Sequence, residues 1–392
     1  MRICCMTSAY PDFPGAFRGS FVWKSNLLLK KLGCDIVTVT PLIFDKSRAQ
    51  EEDESGPVIR FPFCSGNRTL FSYRRIPVFR MPLYLISGML AGLRAIRVQK
   101  SDVIVAHWLV PTGPVAVLCG LLTRKPVVLL AHGTDVMTWG RKAWLRPLFG
   151  FLMRRSAAIV VNSEQVRDEL VGLGADIEKT VIVRACGVDT TLFSPDTDGT
   201  VVRQEFKIPS RNAVVLFVGG LNYCKAIDVL IHAFAEVSDE KTKLLLVGSG
   251  DDRENLEKLA AELEISKNVI FAGSRPPEAI PGIMAASDIF VLPSRQEGMG
   301  LVVLEAMASG KPIVASRAGG IPSIVTDGTN GILFDTDDPD DLAEKLTSVL
   351  NDRALREELA VNARRSAIEK YSSDIQARIL LDLLEKVAPS DA

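Results

Sequence analysis

The sequence predicts an α/β protein of two domains, each a parallel sheet covered by helices on both faces. Three observations carry this. Apolar runs of strand length alternate with segments of helical spacing along nearly the whole chain. At 392 residues the chain is long enough for two separate cores. Its charge changes sign midway: residues 1–195 carry 25 Lys and Arg against 15 Asp and Glu, and the remainder 21 against 32. A basic half and an acidic half imply different partners for the two halves.

Composition narrows the class. A hydrophobic fraction of 47% with a net charge of -1 fits a soluble globular enzyme. The start of the chain lacks the longer unbroken apolar segment of a signal peptide and reads as a first strand. The longest uncharged runs, such as residues 81–93, are too short to span a bilayer. Seven cysteines form an odd set with no C-x-x-C pair. This argues for reduced thiols in the cytoplasm, without a disulfide framework or a zinc site.

In the first half, strands are expected over residues 2–9, 35–42, 58–63, 102–106, 126–131 and 157–162, with a first helix over 20–32 ending at Gly33. The loop 11–19, with Gly15, Arg18 and Gly19, follows strand one, where α/β sheets place ligand loops; an ordinary surface loop fits the residues equally. His107 falls at a strand end. His132 ends a buried strand beside Gly133, Thr134 and Asp135, a position that favours a site role over core packing. Asp135 either touches a ligand or caps the loop that follows. Between Glu54 and Asp102 there is no acidic residue but eight basic ones, Arg60, Arg68, Arg74, Arg75, Arg80, Arg94, Arg97 and Lys100, interleaved with aromatic and aliphatic side chains. That mixture suits an anionic membrane surface or lipid phosphate. Nucleic acid is disfavoured because no binding motif accompanies the charge.

The second half restarts the alternation at residues 213–218. Gly219-Gly220 follows, and Lys225 precedes a helix, well placed to meet a diphosphate. Asp251-Asp252 reads as the acidic first turn of a helix and not as a metal site. Residues 287–321 are the most informative stretch. A buried strand over 288–293 leads into a turn with Gly298 and Gly300, a helix over 301–309 ends at Gly310, and a second strand spans 313–316. Unpaired N–H groups at Gly298, Met299, Gly300 and Leu301 make an anion site at the carboxyl end of a strand. Glu297 flanks the turn and Glu305 lies within the helix, seven residues intervening. Carboxylates beside an anion site make sense when the ligand also carries hydroxyls. Phosphate plus polyol points to a nucleotide sugar.

The string EGMGLVVLEAMASGKPIVAS resembles the signature of the retaining GT-B glycosyltransferases, the family numbered four, with Glu297 and Glu305 as its E-x7-E pair and Met299 where Phe is usual. The resemblance covers nearly the whole chain and is strongest in the second half. It implies two Rossmann-like domains facing one cleft: an N-terminal acceptor domain over 1–190, a nucleotide-sugar donor domain over 191–371, and a C-terminal helix over 372–392 returning to the first domain. The crossover ACGVDTTLFSP resembles the family's, with Cys186 where Asn is common. The resemblance also implies that the glycine loop at Gly19 lies near donor phosphate and acceptor. It sets His132 against the donor sugar, Asn162-Ser163 at the cleft, and the loop with Arg275 near the nucleobase, where Arg275 could stack. The family's G-R-L-x-x-x-K-G pattern keeps Lys225 but has Gly220 in place of Arg and Ala226 in place of the last Gly. One cation of the leaving group is therefore missing. Arg18 or Arg295 could supply it.

The function expected is retaining, metal-independent transfer of a hexose from a UDP- or GDP-sugar to a hydroxyl of a glycan or lipid-linked acceptor. Glu297, His132 and Lys225 form the catalytic set. Arg18, His107 and Asp135 are candidates on the acceptor side. No cofactor beyond the sugar nucleotide is expected, and the location is cytoplasmic, near the inner face of the membrane. Two rivals share the fold: an epimerase acting on the nucleotide sugar, and a silent sugar-nucleotide-binding subunit, which the Gly220 departure keeps open. No G-x-G-x-x-G follows the first strand, which counts against a plain NAD-binding protein.

Overall fold

The computed structural model of the chain describes residues 1–13, 16, 18–45, 47–63, 65–67, 78–133, 135–140, 142–184, 187–298 and 300–388. Of the positions singled out above, Gly15, Thr134, Cys186, Met299 and the basic residues Arg68, Arg74 and Arg75 lie outside the described residues. The chain divides into two compact units, residues 1–186 with 376–392, and residues 187–375.

The first unit opens with β1 (Arg2–Met6), α1 (Ser20–Lys31), β2 (Asp35–Leu42), β3 (Gln50–Asp53) and β4 (Gly56–Pro62). It continues through α2 (Met81–Gln99), β5 (Val103–His107), α3 (Thr112–Thr123) and β6 (Val127–Ala131). It then runs through α4 (Arg146–Arg155), β7 (Ala158–Val161), α5 (Glu164–Gly172) and β8 (Thr180–Ile182). The sheet order is β3-β4-β2-β1-β5-β6-β7-β8, and only the β3–β4 pairing is antiparallel. Both faces are buried, so consecutive residues of β1 serve opposite cores. Ile3 and Cys5 pack with Val22 and Leu29 of α1, whereas Cys4 and Met6 pack with α2 and α3. The expected first strand stops three residues early, where Thr7 turns to bond the Ala9 carbonyl.

Helix α2 meets the sheet through small residues. A Cβ on Gly92 would lie 2.3 Å from Cε of Met6 and 3.1 Å from Sγ of Cys119, so a larger residue would require the Met6 side chain to move. The helix is long and apolar enough by composition to cross a membrane, although no uncharged run of that length exists, because Arg94 and Arg97 fall within it. Tyr84, Ala95 and Ile96 are nevertheless buried on the sheet.

The second unit contains α6 (Thr200–Glu205), β9 (Ala213–Val218), α7 (Ile227–Val237), β10 (Thr242–Val247), α8 (Arg253–Glu262) and β11 (Val269–Gly273). Then follow α9 (Ile280–Ala286), β12 (Ile289–Leu292), α10 (Leu301–Ala308), β13 (Ile313–Ser316) and β14 (Ile332–Phe334). Helices α11 (Pro339–Asn351) and α12 (Arg353–Lys370) complete it. Its all-parallel sheet has the order β11-β10-β9-β12-β13-β14. The last helix, α13 (Ser373–Val387), places Leu380 and Leu384 in the core of the first unit with Ile3, Cys5 and Val103. The second unit's first residues are laced to its end: Val188 donates to the Tyr371 carbonyl at 2.8 Å, and Arg364 donates to the Thr190 carbonyl at 3.0 Å.

Both sheets reverse their winding direction. In the first the order changes hand between β1 and β5, in the second between β9 and β12. The crevice outside the carboxyl ends of strands at such a switch point is where open α/β sheets bind ligands.

Candidate functional site

In the second unit the switch point brings together the two loops that matter. Lys225 ends a short 3-10 turn after β9, and Glu297 lies in the loop after β12. Lys225 Nζ donates to Glu297 Oε2 at 2.6 Å, with side chains 23% and 14% exposed, so the pair is sheltered but not dry. Ser294 Oγ reaches the same oxygen at 3.4 Å, and the Gly298 N–H donates to Oε1 at 3.2 Å. The loop is held from behind. Ser316 Oγ donates to the Ser294 carbonyl at 2.6 Å, and the Gly320 N–H donates to the Glu297 carbonyl at 3.1 Å.

Gly300, at φ 69°, opens α10; among the described residues no side chain caps this helix and no acid lies in its first turn. Its first N–H groups and the positive end of its dipole are therefore offered to an anion. Leu301 begins the helix exposed, and Glu305 is half-buried one turn further. Ala226, where the family carries Gly, adopts φ 49°, ψ 43° and is fully buried. That conformation accounts for the family's glycine, because a Cβ there costs roughly 1–2 kcal/mol.

The cations proposed to replace the missing arginine are otherwise engaged. Arg295 donates to both carboxylate oxygens of Asp228 at 3.0 and 2.7 Å, to Asp337 at 2.5 Å and to the Tyr223 carbonyl at 2.9 Å. It braces the Lys225 turn. Arg275 lies over the Phe206 ring at 5.0 Å and pairs with Glu205 at 2.7 Å, so its stacking partner is this unit's own aromatic side chain.

The first unit gathers a second set of predicted residues at the carboxyl edge beside its own switch point. Gly19, at φ 68°, precedes α1, and a Cβ there would stand 2.3 Å from the Ala9 carbonyl oxygen, so the loop closes only on glycine. Arg18 is consumed in that closure. It pairs with Asp12 through two bonds of 2.7 and 2.8 Å and donates to the Ser8 carbonyl at 2.8 Å.

His107, at the end of β5, and His132, after β6, stack nearly parallel with centroids 5.1 Å apart. His107 Nδ1 and His132 Nε2 are 3.0 Å apart, one donating to the other. Phe21 and Trp108 pack on the His132 ring at 5.0 and 4.6 Å. Below the pair lies a pocket walled mainly by apolar residues such as Leu28, Leu130, Val160 and Leu380. Burial holds both imidazoles neutral, pushing His132 down to about 3 and His107 well below its usual value. Asp135 is buried and its carboxylate is taken up by backbone donors. It accepts the backbone N–H of Leu109 at 2.8 Å and of His132 at 3.0 Å, which fixes the His132 loop. Burial nevertheless pushes its carboxyl up to about 6.

These groups make stability depend on pH. The histidines protonate near 6.5 when unfolded and much lower when folded, so below 6.5 the unfolded chain binds more protons and stability falls on acidification. Asp135 opposes this: its folded pKa of about 6 lies above the usual 3.8, so its contribution is full below 3.8 and fades as pH rises through 6. Two imidazoles outweigh one carboxyl. The melting temperature should therefore drop between pH 7 and 5, and His107→Asn should flatten that dependence by about one proton. An unchanged slope in the variant would refute the pairing of buried neutral rings.

Sequence reasoning missed several residues of this arrangement. Phe21 and Trp108 carried no signal of packing on a histidine. Gly319-Gly320 gave no sign that it leads into a 3-10 turn, Ile321–Ser323, with its backbone packed against the Glu297 carbonyl. Among the described residues, no group of three or more His, Cys, Asp and Glu could hold a metal ion.

Residues 199–366 match the family described as glycosyl transferases group 1, and residues 28–186 match the glycosyl transferase 4-like domain. The chain is 37% identical over 246 residues to a D-inositol 3-phosphate glycosyltransferase of Corynebacterium jeikeium, covering 59% of this chain and 58% of that protein. The corresponding Corynebacterium kroppenstedtii enzyme is 38% identical over 239 residues, covering 58% and 52%. The match thus spans little more than half the length of these curated relatives. An uncharacterized glycosyltransferase of Methanocaldococcus jannaschii, MJ1607, is 30% identical over 303 residues, covering 74% of this chain and 77% of that protein. In structure, Anabaena Alr3699/HepE in complex with UDP superposes with a TM-score of 0.76 at 21% identity, covering 98% of this chain and 100% of that one. A sucrose-phosphate synthase of Thermosynechococcus elongatus gives a TM-score of 0.79 at 20% identity, covering 98% and 99%. The likeness to these structures establishes the GT-B fold.

Proposed function

The chain belongs to the glycosyl transferases group 1 family, and from that premise we propose that it transfers a hexose from a UDP- or GDP-sugar to a hydroxyl of a glycan or lipid-linked acceptor, with retention and without a metal. The observation that carries this is the Lys225–Glu297 pair at 2.6 Å, at a switch point, beside the uncapped start of α10. An ammonium has three donors and Glu297 uses one, which leaves two for diphosphate oxygens. The α10 N-terminus adds its N–H groups, so charge growing on the leaving phosphate meets fixed donors. In this reading Glu305 holds ribose hydroxyls and Glu297 the donor sugar.

Support for the donor class comes from Alr3699/HepE, whose structures hold UDP and UDP-glucose. The relatives named D-inositol 3-phosphate glycosyltransferase and N-acetyl-alpha-D-glucosaminyl L-malate synthase favour a transferase over an epimerase. The basic first half favours an anionic or lipid-linked acceptor at the inner face of the membrane.

A thermal-shift panel of UDP-, GDP- and ADP-glucose tests the reading. Saturation at about a hundred times Kd stabilises by roughly 2.7 kcal/mol, which raises the melting temperature by roughly 5–10 °C for a unit of this size. Lys225→Ala should erase the shift. No response to any member of the panel would overturn the donor assignment. Turnover in EDTA, with the product anomer read by NMR, decides metal independence and retention.

A further inference from the structure

The outward faces of α2 and α3 carry a surface that the sugar-transfer chemistry does not use. On α2, Leu83, Ile86, Leu90, Arg94 and Arg97 recur at spacings of three and four and are all exposed, so they form one stripe. Phe79 extends it at one end and Lys100 at the other, both exposed. Helix α3 packs beside α2 and shows Leu118, Leu121 and Leu122 to solvent, followed by exposed Arg124 and half-buried Lys125. Neither helix contains an acidic residue. Asp102, which follows α2, is already paired with Arg2 at 3.0 Å.

Leucines in this number, exposed on adjacent helices among the described residues, need a partner. A second copy of the chain is a poor one. A twofold contact would set the same patch against itself and bring unneutralised cations together. A surface that is both apolar and anionic complements the stripe along its whole length. We propose that the α2–α3 face docks on an anionic lipid bilayer, with its leucines at the headgroup boundary and its arginines on lipid phosphates. The placement suits the site. Gly92 lies against Met6, the last residue of β1, so the apolar start of α2 stands at the carboxyl edge of the sheet, the edge that bears His107 and His132. Docking therefore lays the helix layer on the bilayer, with the apolar start of α2 on the side that bears that edge. The inference rests on the proposed membrane-linked acceptor for its setting and is independent of the donor assignment.

Flotation with phosphatidylcholine vesicles, with and without roughly 30% phosphatidylglycerol, tests it. The full chain should bind the anionic vesicles at low salt, weaken about tenfold or more at high salt, and ignore the neutral ones. Arg94→Glu with Arg97→Glu, and separately Ile86→Ser with Leu90→Ser, should each lower binding at least about tenfold. Both variants should keep the wild-type melting temperature and its shift with sugar nucleotide, which separates loss of docking from loss of the donor site. Three results would overturn the proposal: no vesicle binding by the wild type, variants that bind as it does, or a solution dimer that the serine variant dissolves.

Discussion

Glu297→Ala lowers kcat/KM by at least about a thousandfold while the protein remains folded. The argument starts from geometry. Glu297 takes the Lys225 ammonium at 2.6 Å and its own loop's Gly298 N–H at 3.2 Å, so one carboxylate sets both the cation and the turn that opens α10. Removing it frees Lys225 to point elsewhere and loosens the donors aimed at the leaving phosphate. Preorganised donors of this kind are worth about a hundred- to a thousandfold each, and on the proposed donor pose the sugar loses a carboxylate contact as well. Lys225→Ala should fall by a similar factor, and the double variant by little more than either, because the two act as a unit. Stability should hardly move. The pair is partly open to solvent, so its net worth to folding is at most about 1 kcal/mol. Initial rates and melting curves on the same preparations separate the outcomes. Near-normal turnover in either single variant would remove the pair from the mechanism. A melting temperature lowered by more than about 5 °C would make its role structural.

That pair shows how far the sequence could be read. Glu297, Glu305, Lys225 and the glycine turn stood out because a strand, a glycine turn and the helix that follows it leave a pattern within one short stretch. These constraints are local. The parallel sheets were visible for the same reason, since strands buried on both faces read as unbroken apolar runs. Strand β3 was not, because Gln50–Asp53 is an edge strand whose polar residues carry no apolar signal. Side-chain partners chosen across the fold were equally hidden. Arg18 and Arg295 looked available as ligand cations, but Asp12 sits six residues from the first, whereas Asp228 and Asp337 are far in sequence from the second. A charge count reports only the sum, not who pairs with whom. The stacked His107–His132 pair depended on β5 and β6 being neighbours in exact register, with His107 opposite Leu130. That register is a property of the sheet and not of either segment.

Gly319→Ala disables the site from behind, through the backbone alone. Gly319 sits at φ 54°, and a Cβ there would stand 1.9 Å from the Glu297 carbonyl oxygen. No rotamer relieves that contact, because both atoms belong to fixed parts of the chain. The left-handed conformation costs an alanine roughly 1–2 kcal/mol, and displacing the Glu297 loop adds about 1–3 kcal/mol more. The displacement also moves Glu297 and with it the start of α10. A shift near 1 Å in a positioned group can cost about a hundredfold in rate, so kcat should fall by that order in whatever fraction remains folded. Gly328→Ala is the control. It has φ 68° but nothing within 4 Å of its Cβ, so it bears the conformational penalty without the collision. It should lose about 1 kcal/mol of stability and keep its turnover. The contrast isolates the contact from the dihedral. If both variants melt together and turn over alike, the Gly319 backbone is not what holds Glu297 in place, and the support for the catalytic loop must come from Ser294 and Ser316 instead.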